Sequence, residues 1–350
     1  MITDHYEFDV GILVNTAQSA LERAGVNAHD AALVADALVT ADRRGIYSHG
    51  LMRLPLYVSA LESGGMNPRP EMKWRREQGA VAILEADSAL GQVAMQEAVG
   101  HVKTLAEKYG IGCVAVEHST HYGAGNYWTD QLAQAGLASL LTSTTGPRVT
   151  PFGGRDPILG TNPLTMAFPS LTNHALTADM ATSAGAYGKV MAARNAGYAI
   201  PKGWAVDPDG DETTDPDSAI SGAFLPMGGH KGSALSVMLE AFAASLTHAN
   251  FAYETTDIWS NPAHKMNTGH LVIALNPELF TGVTDTKKRI SGLQERVRAA
   301  GHGVQAPGDI EAGLFEASRD RVALSRDTYA QIEQMCGHLG VVPPVPHEKS

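Results

Sequence analysis

A short apolar run, Val114-Ala115-Val116, leads to Gly123-Ala124-Gly125 and then to a segment with helical spacing. Strand, glycine turn and helix in that order can seat a dinucleotide pyrophosphate on the helix N-terminus. The fingerprint also needs a small residue three positions after the second glycine, where helix and strand pack closely. Trp128 stands there. No carboxylate ends the next strand to meet a ribose. The glycines still allow a phosphate to approach the backbone, but this turn does not specify a Rossmann sheet.

The N-terminal stretch reads as helices. Leu13, Val14, Ala17 and Leu21 recur at helical spacing, and Gly25 ends that run. Asn27 can cap a second helix through Leu33, Val34, Ala37, Leu38 and Ala41, which closes at Arg43-Arg44-Gly45. After Tyr47-Ser48-His49-Gly50 a third runs through Leu54, Tyr57, Val58 and Leu61, with Pro55 in its first turn and Gly64-Gly65 at its end. Pro68 and Pro70 mark a boundary.

From residue 80 the texture changes. Apolar runs at 81–85, 111–116, 137–142, 164–168 and 271–275 read as strands, with helices near 92–108, 124–135, 231–247, 285–300 and 327–339. Alternation of this kind favours a mostly parallel α/β sheet. Residues 1–70 are expected to pack with the helices of 310–350 as one discontinuous domain, and 71–309 to form the sheet domain.

The 350 residues allow about two domains, and 44% apolar against 18% charged residues supply a core and exclude disorder. With 26 basic and 37 acidic residues, for a net charge of −11, no nucleic-acid surface is expected. An anionic small substrate still fits, because one or two arginines in a cleft suffice. Cys113 and Cys336 are far apart and in no metal-like spacing, which suits a reducing compartment. MITDHYEFDV is not a signal peptide, and Asp36 and Glu240 interrupt the most apolar helices, so a cytoplasmic chain without a membrane span is expected.

Several motifs could carry chemistry. The acidic run 207–217 lacks the spacing, glycine and terminal glutamate of a calcium loop and reads as a solvated surface. Pro226-Met227-Gly228-Gly229-His230-Lys231-Gly232-Ser233 opens a helix. Its free N–H groups and Lys231 suit an anion, although a flexible turn with a surface lysine has the same pattern. Ser48-His49-Gly50 places a hydroxyl beside an imidazole, and Arg53 lies four residues on, one turn if a helix starts at His49. That set could move a proton and grip a carboxylate, or His49 could be structural. His118 and His121 form a second pair, without a third ligand that would suggest zinc. No G-x-S-x-G elbow occurs.

At these residues the chain resembles the malate/L-lactate dehydrogenase family of the second, non-Rossmann type, which also holds ureidoglycolate dehydrogenases, diketogulonate reductases and cyclic imino-acid reductases. The resemblance covers nearly the whole chain. It rests on RGIYSHGLMRLPLY (44–57), HSTHYGAGNYW (118–128), PFGGRDPILGTNPLTMAFP (151–169), DMATSA (179–184), GKV (188–190), GWAVDPDG (203–210) and LPMGGHKGSAL (225–235).

The resemblance implies a homodimer and an α/β (α+β) fold. In it a mainly antiparallel mixed sheet holds NAD or NADP beside a helical domain made from both termini, which overrides the parallel sheet expected from alternation. It implies His49 as proton donor to a small carboxylate substrate, with Ser48 orienting it. Arg53 and Thr161 would hold the substrate carboxylate, with Tyr187 and Gly188 beside it. His121, Tyr122, Gly123, Ala124, Gly125, Thr145, Asp179, Met180, Ala181, Lys231, Gly308 and Asp309 match cofactor-contacting positions. In some members the histidine matched by His121 is the acid–base residue instead, so the two compete; His49 is favoured because hydroxyl, imidazole and arginine converge there. Similar imine reductases carry an aspartate where Lys189 stands, and an ammonium cannot accept a proton in that relay. Lys189 therefore tilts the reading towards a 2-oxo or 2-hydroxy acid, with Lys189 polarising a carbonyl and Arg148 or Lys189 meeting a second carboxylate. The LPMGGHKGSAL motif is close to the imine-reductase version. No metal is expected.

Overall fold

The computed structural model describes residues 5–347. Helix Val10–Arg23 buries Leu13, Ala17, Ala20 and Leu21, a stripe at helical spacing. Asn27 caps Ala28–Arg43 by accepting a hydrogen bond from Asp30 N at 3.0 Å. Two successive 3-10 turns, Tyr47–His49 and Leu51–Arg53, then lead into helix Leu54–Ser63. His49 and Arg53 thus each end a separate turn instead of sharing one helix, because Gly50 interrupts the run with extended backbone. Pro55 falls in the first turn of the third helix, where a missing N–H costs nothing.

The large sheet has seven strands in the order Lys73–Gln78, Val81–Glu85, Ile111–Ser119, Thr268–Leu275, Ala138–Ser143, Pro163–Phe168 and Leu176–Ala181. Only Val81–Glu85 and Ile111–Ser119 run parallel, across the helix Gly91–Tyr109. All other neighbours are antiparallel. The parallel sheet suggested by alternation does not form: Thr268–Leu275 comes back from late in the chain and inserts between two earlier strands, antiparallel to both, and the outer strands pair antiparallel with their sequence neighbours in the sheet. The mainly antiparallel mixed sheet implied by the resemblance is the one present.

The strand His5–Asp9 pairs with Arg321–Ser325, and helix Arg326–Leu339 packs on Val10–Arg23 and Leu54–Ser63. This terminal layer and the large sheet share one continuous core, from Phe8 and Leu38 through Trp128 to Val272. A second, smaller core of Val149, Leu159, Val190, Ile200, Ala205, Ala219 and Phe224 lies under a five-stranded sheet formed within residues 147–224.

The helix read over 231–247 is α-helical from His230 to Glu240 and continues as a π-turn, Ala241–Ser245. Leu239 is buried, but Val237, Met238, Phe242 and Leu246 face outward. The acidic run is a surface turn in which Asp207 Oδ1 accepts from the backbone N–H of Asp209 and Asp211. Among the described residues no helix is long and apolar enough to cross a membrane, and no group of three or more His, Cys, Asp or Glu could hold a metal ion.

Candidate active site

Three segments meet at the end of strand Ile111–Ser119. The 3-10 turns bring Ser48, His49 and Arg53, the loop after the strand brings His121, and residues 257–260 bring Trp259. Ser48 Oγ lies 2.8 Å from His49 Nδ1, and Arg53 Nε donates to Ser48 O at 2.6 Å. A hydroxyl can donate to the neutral ring or accept from the charged one, so Ser48 can orient His49 in either protonation state. Burial first, then the charge of Arg53, pulls the His49 pKa down to about 4.

His121 is held from the other side. Its Nδ1 is 2.6 Å from Tyr57 Oη, which accepts from Gln92 Nε2 at 3.1 Å. Burial is the main cause that puts the His121 pKa well below its ordinary value, and the neighbouring His49 and Arg53 add to it. Tyr57 is pushed up to about 12 by the same burial, so it stays a neutral phenol. Sequence reasoning saw Tyr57 as a core residue of its helix and overlooked Gln92 and Trp259. Tyr57 carried a signal, since it follows Arg53 by one helical turn; Gln92 and Trp259 are distant in sequence and carried none. His118 does not join the pair: with its backbone at φ 52° it turns away to Glu85.

No carboxylate pairs with Arg53 among the described residues. Its Nε is on Ser48 O, and its Cζ lies 4.6 Å from the Trp259 ring centre. A cation–π contact of this kind contributes about 0.5–2 kcal/mol and leaves the positive charge of the guanidinium in place. Arg148 is different, because Asp257 takes its charge at 3.2 Å and its Cζ sits over Tyr187. The helix Tyr187–Ala196 starts against the turn: a β-carbon on Gly188 would lie 3.5 Å from Ser48 Cβ. Lys189 follows, exposed.

Trp128 is fully buried, and its Nε1 donates to Tyr122 O at 3.1 Å. The residue that breaks the Rossmann fingerprint therefore braces the His121–Gly125 loop. The helix that starts at Gly125 has no cap of its own, and Asp179 accepts from Asn126 N at 2.9 Å and from Thr165 Oγ1 at 2.7 Å. A carboxylate already occupies this positive helix end, which argues against a phosphate there. Desolvation raises the Asp179 pKa in spite of both hydrogen bonds.

The residues expected to contact a cofactor gather along the edge strand Leu176–Ala181. Asp179, Met180 and Ala181 lie on it, and Gly125 approaches so closely that a β-carbon would lie 3.1 Å from Asp179 Oδ1. Gly308, at φ 93°, sits in a turn whose Pro307 O accepts from Thr177 N. Asp309 is saturated by Arg298 and His174, which holds its pKa far below the carboxylate range; it anchors the turn. Met227 N donates to Thr182 O, placing the Gly228-Gly229 turn and Lys231 beyond the strand end. Thr182 Oγ1 reaches Asn162 O, and Thr161 Oγ1 lies 3.4 Å from Thr145 Oγ1.

A nicotinamide cofactor fits this set. An edge strand offers unpaired backbone groups. Tyr122 Oη, Asn126 Oδ1 and Gln92 Oε1 are buried without a protein partner around the 121–126 loop, and such atoms cost about 1–3 kcal/mol each unless satisfied. Gly228 has open space where a β-carbon would be.

Fold and relatives together mark an NAD(P)-dependent oxidoreductase whose sheet is not a Rossmann sheet. The chain belongs to the malate/L-lactate dehydrogenase family, whose model matches residues 9–333. It is 34% identical over 325 residues, 92% of this chain and 94% of the relative, to the L-sulfolactate dehydrogenase of Methanocaldococcus jannaschii. The structure of the sulfolactate dehydrogenase from that organism superposes with a TM-score of 0.90 at 33% identity, covering 96% of this chain and 98% of the other. The NAD(+)-dependent ureidoglycolate dehydrogenase of Escherichia coli O157:H7 is 36% identical over 282 residues, 81% of this chain and 80% of the relative. The Δ1-piperideine-2-carboxylate reductase of Pseudomonas syringae pvar. tomato superposes with a TM-score of 0.86 at 29% identity, over 94% of this chain and 99% of the other.

Proposed function

We propose that this chain interconverts a small 2-oxo carboxylate and its 2-hydroxy acid, with Arg53 holding the carboxylate and His49 carrying the proton of the reacting oxygen. The observation that supports it is a guanidinium that makes no ion pair with a carboxylate among the described residues, set beside two stacked imidazoles. Bound NAD or NADP supplies or accepts the hydride at C2. Arg53 presents a planar fork to the carboxylate, which fixes the face of C2. Ser48 turns the His49 ring so that Nε2 points away from the hydroxyl and towards the substrate oxygen. A carboxylate entering beside His49 offsets the charge of Arg53 and raises the pKa of the imidazole towards the working range. His121, tied to Tyr57, stands as second candidate for the proton.

Lys189 speaks against a cyclic imino acid as substrate, because at that position it offers no acceptor for a relay through Ser48 and His49. The likeness to the piperideine-2-carboxylate reductase keeps that reading as the alternative. The homodimer reading draws support from the outward row of Val237, Met238, Phe242 and Leu246, an apolar face that a second copy could cover. A reducing, cytoplasmic setting is supported by the two free thiols.

The test is oxidation of NADH and of NADPH against pyruvate, oxaloacetate, a longer 2-oxo acid and Δ1-piperideine-2-carboxylate. Turnover of an oxo acid is expected. Turnover of the cyclic imine alone would overturn the substrate class.

A further inference from the structure

Two arginine–aromatic pairs, Arg53 with Trp259 and Arg148 with Tyr187, are joined by one carboxylate. Asp257 Oδ2 accepts from Arg148 Nη2 at 3.2 Å. Its Oδ1 accepts from Ser260 N at 3.0 Å and Ser260 Oγ at 2.9 Å, closing the turn that carries Trp259. Gly146 backs onto the same carboxylate, so closely that a β-carbon would lie 3.0 Å from Asp257 Oδ2. The indole thus has a fixed base. It covers Arg53 and meets the His121 ring edge-on at 5.6 Å and 83°, yet it stays 36% exposed. A large ring held from below, touching both a guanidinium and an imidazole and still open to solvent, is not filling the core.

We propose that Trp259 is a positioning and specificity-determining residue: it fixes the plane of the Arg53 guanidinium for the substrate carboxylate and limits the substituent that fits beside His121. This rests on the reading of Arg53 as carboxylate anchor. A carboxylate in place of the indole would hold the guanidinium equally well but would cancel its charge. An aromatic face orients the fork and leaves the charge for the ligand. Arg148, already neutralised by Asp257, serves the loop instead of the substrate.

The test compares the wild type with Trp259→Phe and Trp259→Leu. Leucine keeps apolar bulk for folding but has no π face. With pyruvate, Trp259→Leu should raise KM about tenfold, in line with the loss of one cation–π contact, with kcat far less affected. Trp259→Phe should restore most of the loss. Selectivity for 4-methyl-2-oxopentanoate over pyruvate should rise in both variants, because both open space. Equal KM values for the leucine and phenylalanine variants, or unchanged selectivity, would overturn the proposal. Calorimetric binding of oxalate to the protein with coenzyme gives a readout independent of turnover. If the wild type reduces no 2-oxo acid but oxalate binding weakens in Trp259→Leu and recovers in Trp259→Phe, the substrate reading fails and the role of Trp259 stands. Equal oxalate affinity in all three proteins overturns that role whatever the substrate.

Discussion

The imidazoles of His49 and His121 stack with ring centroids 5.3 Å apart and planes inclined by 22°. Each has its Nδ1 tied to a hydroxyl, His49 to Ser48 and His121 to Tyr57. Burial opposes a charge on either ring, and a proton on one repels a proton on the other. Near neutrality both rings are therefore neutral, and a proton taken by one opposes a proton on the other.

Removing the proton carrier separates the two candidates. His49→Ala should lower kcat by about 10²–10⁴-fold, the usual range for loss of an acid–base group. His121→Ala should cost less in kcat. Steady-state rates for both variants in both directions check this, and the opposite ranking would assign the role to His121.

The pH dependence follows from the depressed His49 pKa of about 4. Oxidation of a hydroxy acid needs the neutral ring, so its kcat/KM should show no acid limb near the ordinary histidine value and should fall only towards pH 4. Reduction needs the protonated ring and should gain as the pH is lowered. An oxidation profile with an acid limb near 6.5 would remove His49 as the base of the free enzyme.

Arg53→Lys keeps the charge and loses the fork. KM for the oxo acid should rise about 10–100-fold, the equivalent of one charge-assisted hydrogen bond, with a smaller change in kcat. An unchanged KM would show that the carboxylate is held elsewhere.

Gly91 lies against the loop that carries His121, and a β-carbon there would come within 2.4 Å of Thr120 O and 2.5 Å of the His121 carbonyl carbon. Backbone atoms cannot move aside as a side chain can. Gly91→Ala should cost about 1–3 kcal/mol in stability and lower kcat through displacement of His121. Thermal unfolding and kinetics together check it; an unchanged kcat would mean that His121 tolerates the shift.

Asp42 is buried, accepts from Leu51 N at 2.7 Å and has its pKa raised by desolvation to about 8. The folded chain then keeps a proton that the unfolded chain releases near pH 4. The resulting stabilisation is complete below that pH and is lost as the pH rises through 8. Asp42→Asn cannot titrate. Its Tm should therefore improve relative to the wild type between pH 5 and pH 9, and a constant difference would refute the raised pKa.

Local signals in the sequence were read well where a periodic stripe and a cap agreed, as at Asn27 and in the stripe from Leu13 to Leu21. The failed fingerprint at Trp128 agrees with the non-Rossmann sheet, although the alternation of strands and helices still favoured a parallel one. What stayed hidden depends on residues far apart in the chain. Nothing local shows that Thr268–Leu275 inserts between two earlier strands, and that insertion makes both of its own pairings antiparallel. Asp179 sits at the helix start of Gly125, and Asp257 takes the charge of Arg148. Neither contact could be read from the local sequence around its partner. The helix near 231–247 was legible from its spacing, but spacing does not say that Met238, Phe242 and Leu246 face outward.

The pairing of His5–Asp9 with Arg321–Ser325 sets the order in which the molecule can be finished. On the ribosome the first helices and the Ser48–Arg53 turns emerge long before Arg321–Ser325, the strand that pins their layer. A nascent chain halted before residue 321 would carry every motif of the site with the front layer unanchored. Activity should therefore switch on only after that second strand has been made and has paired.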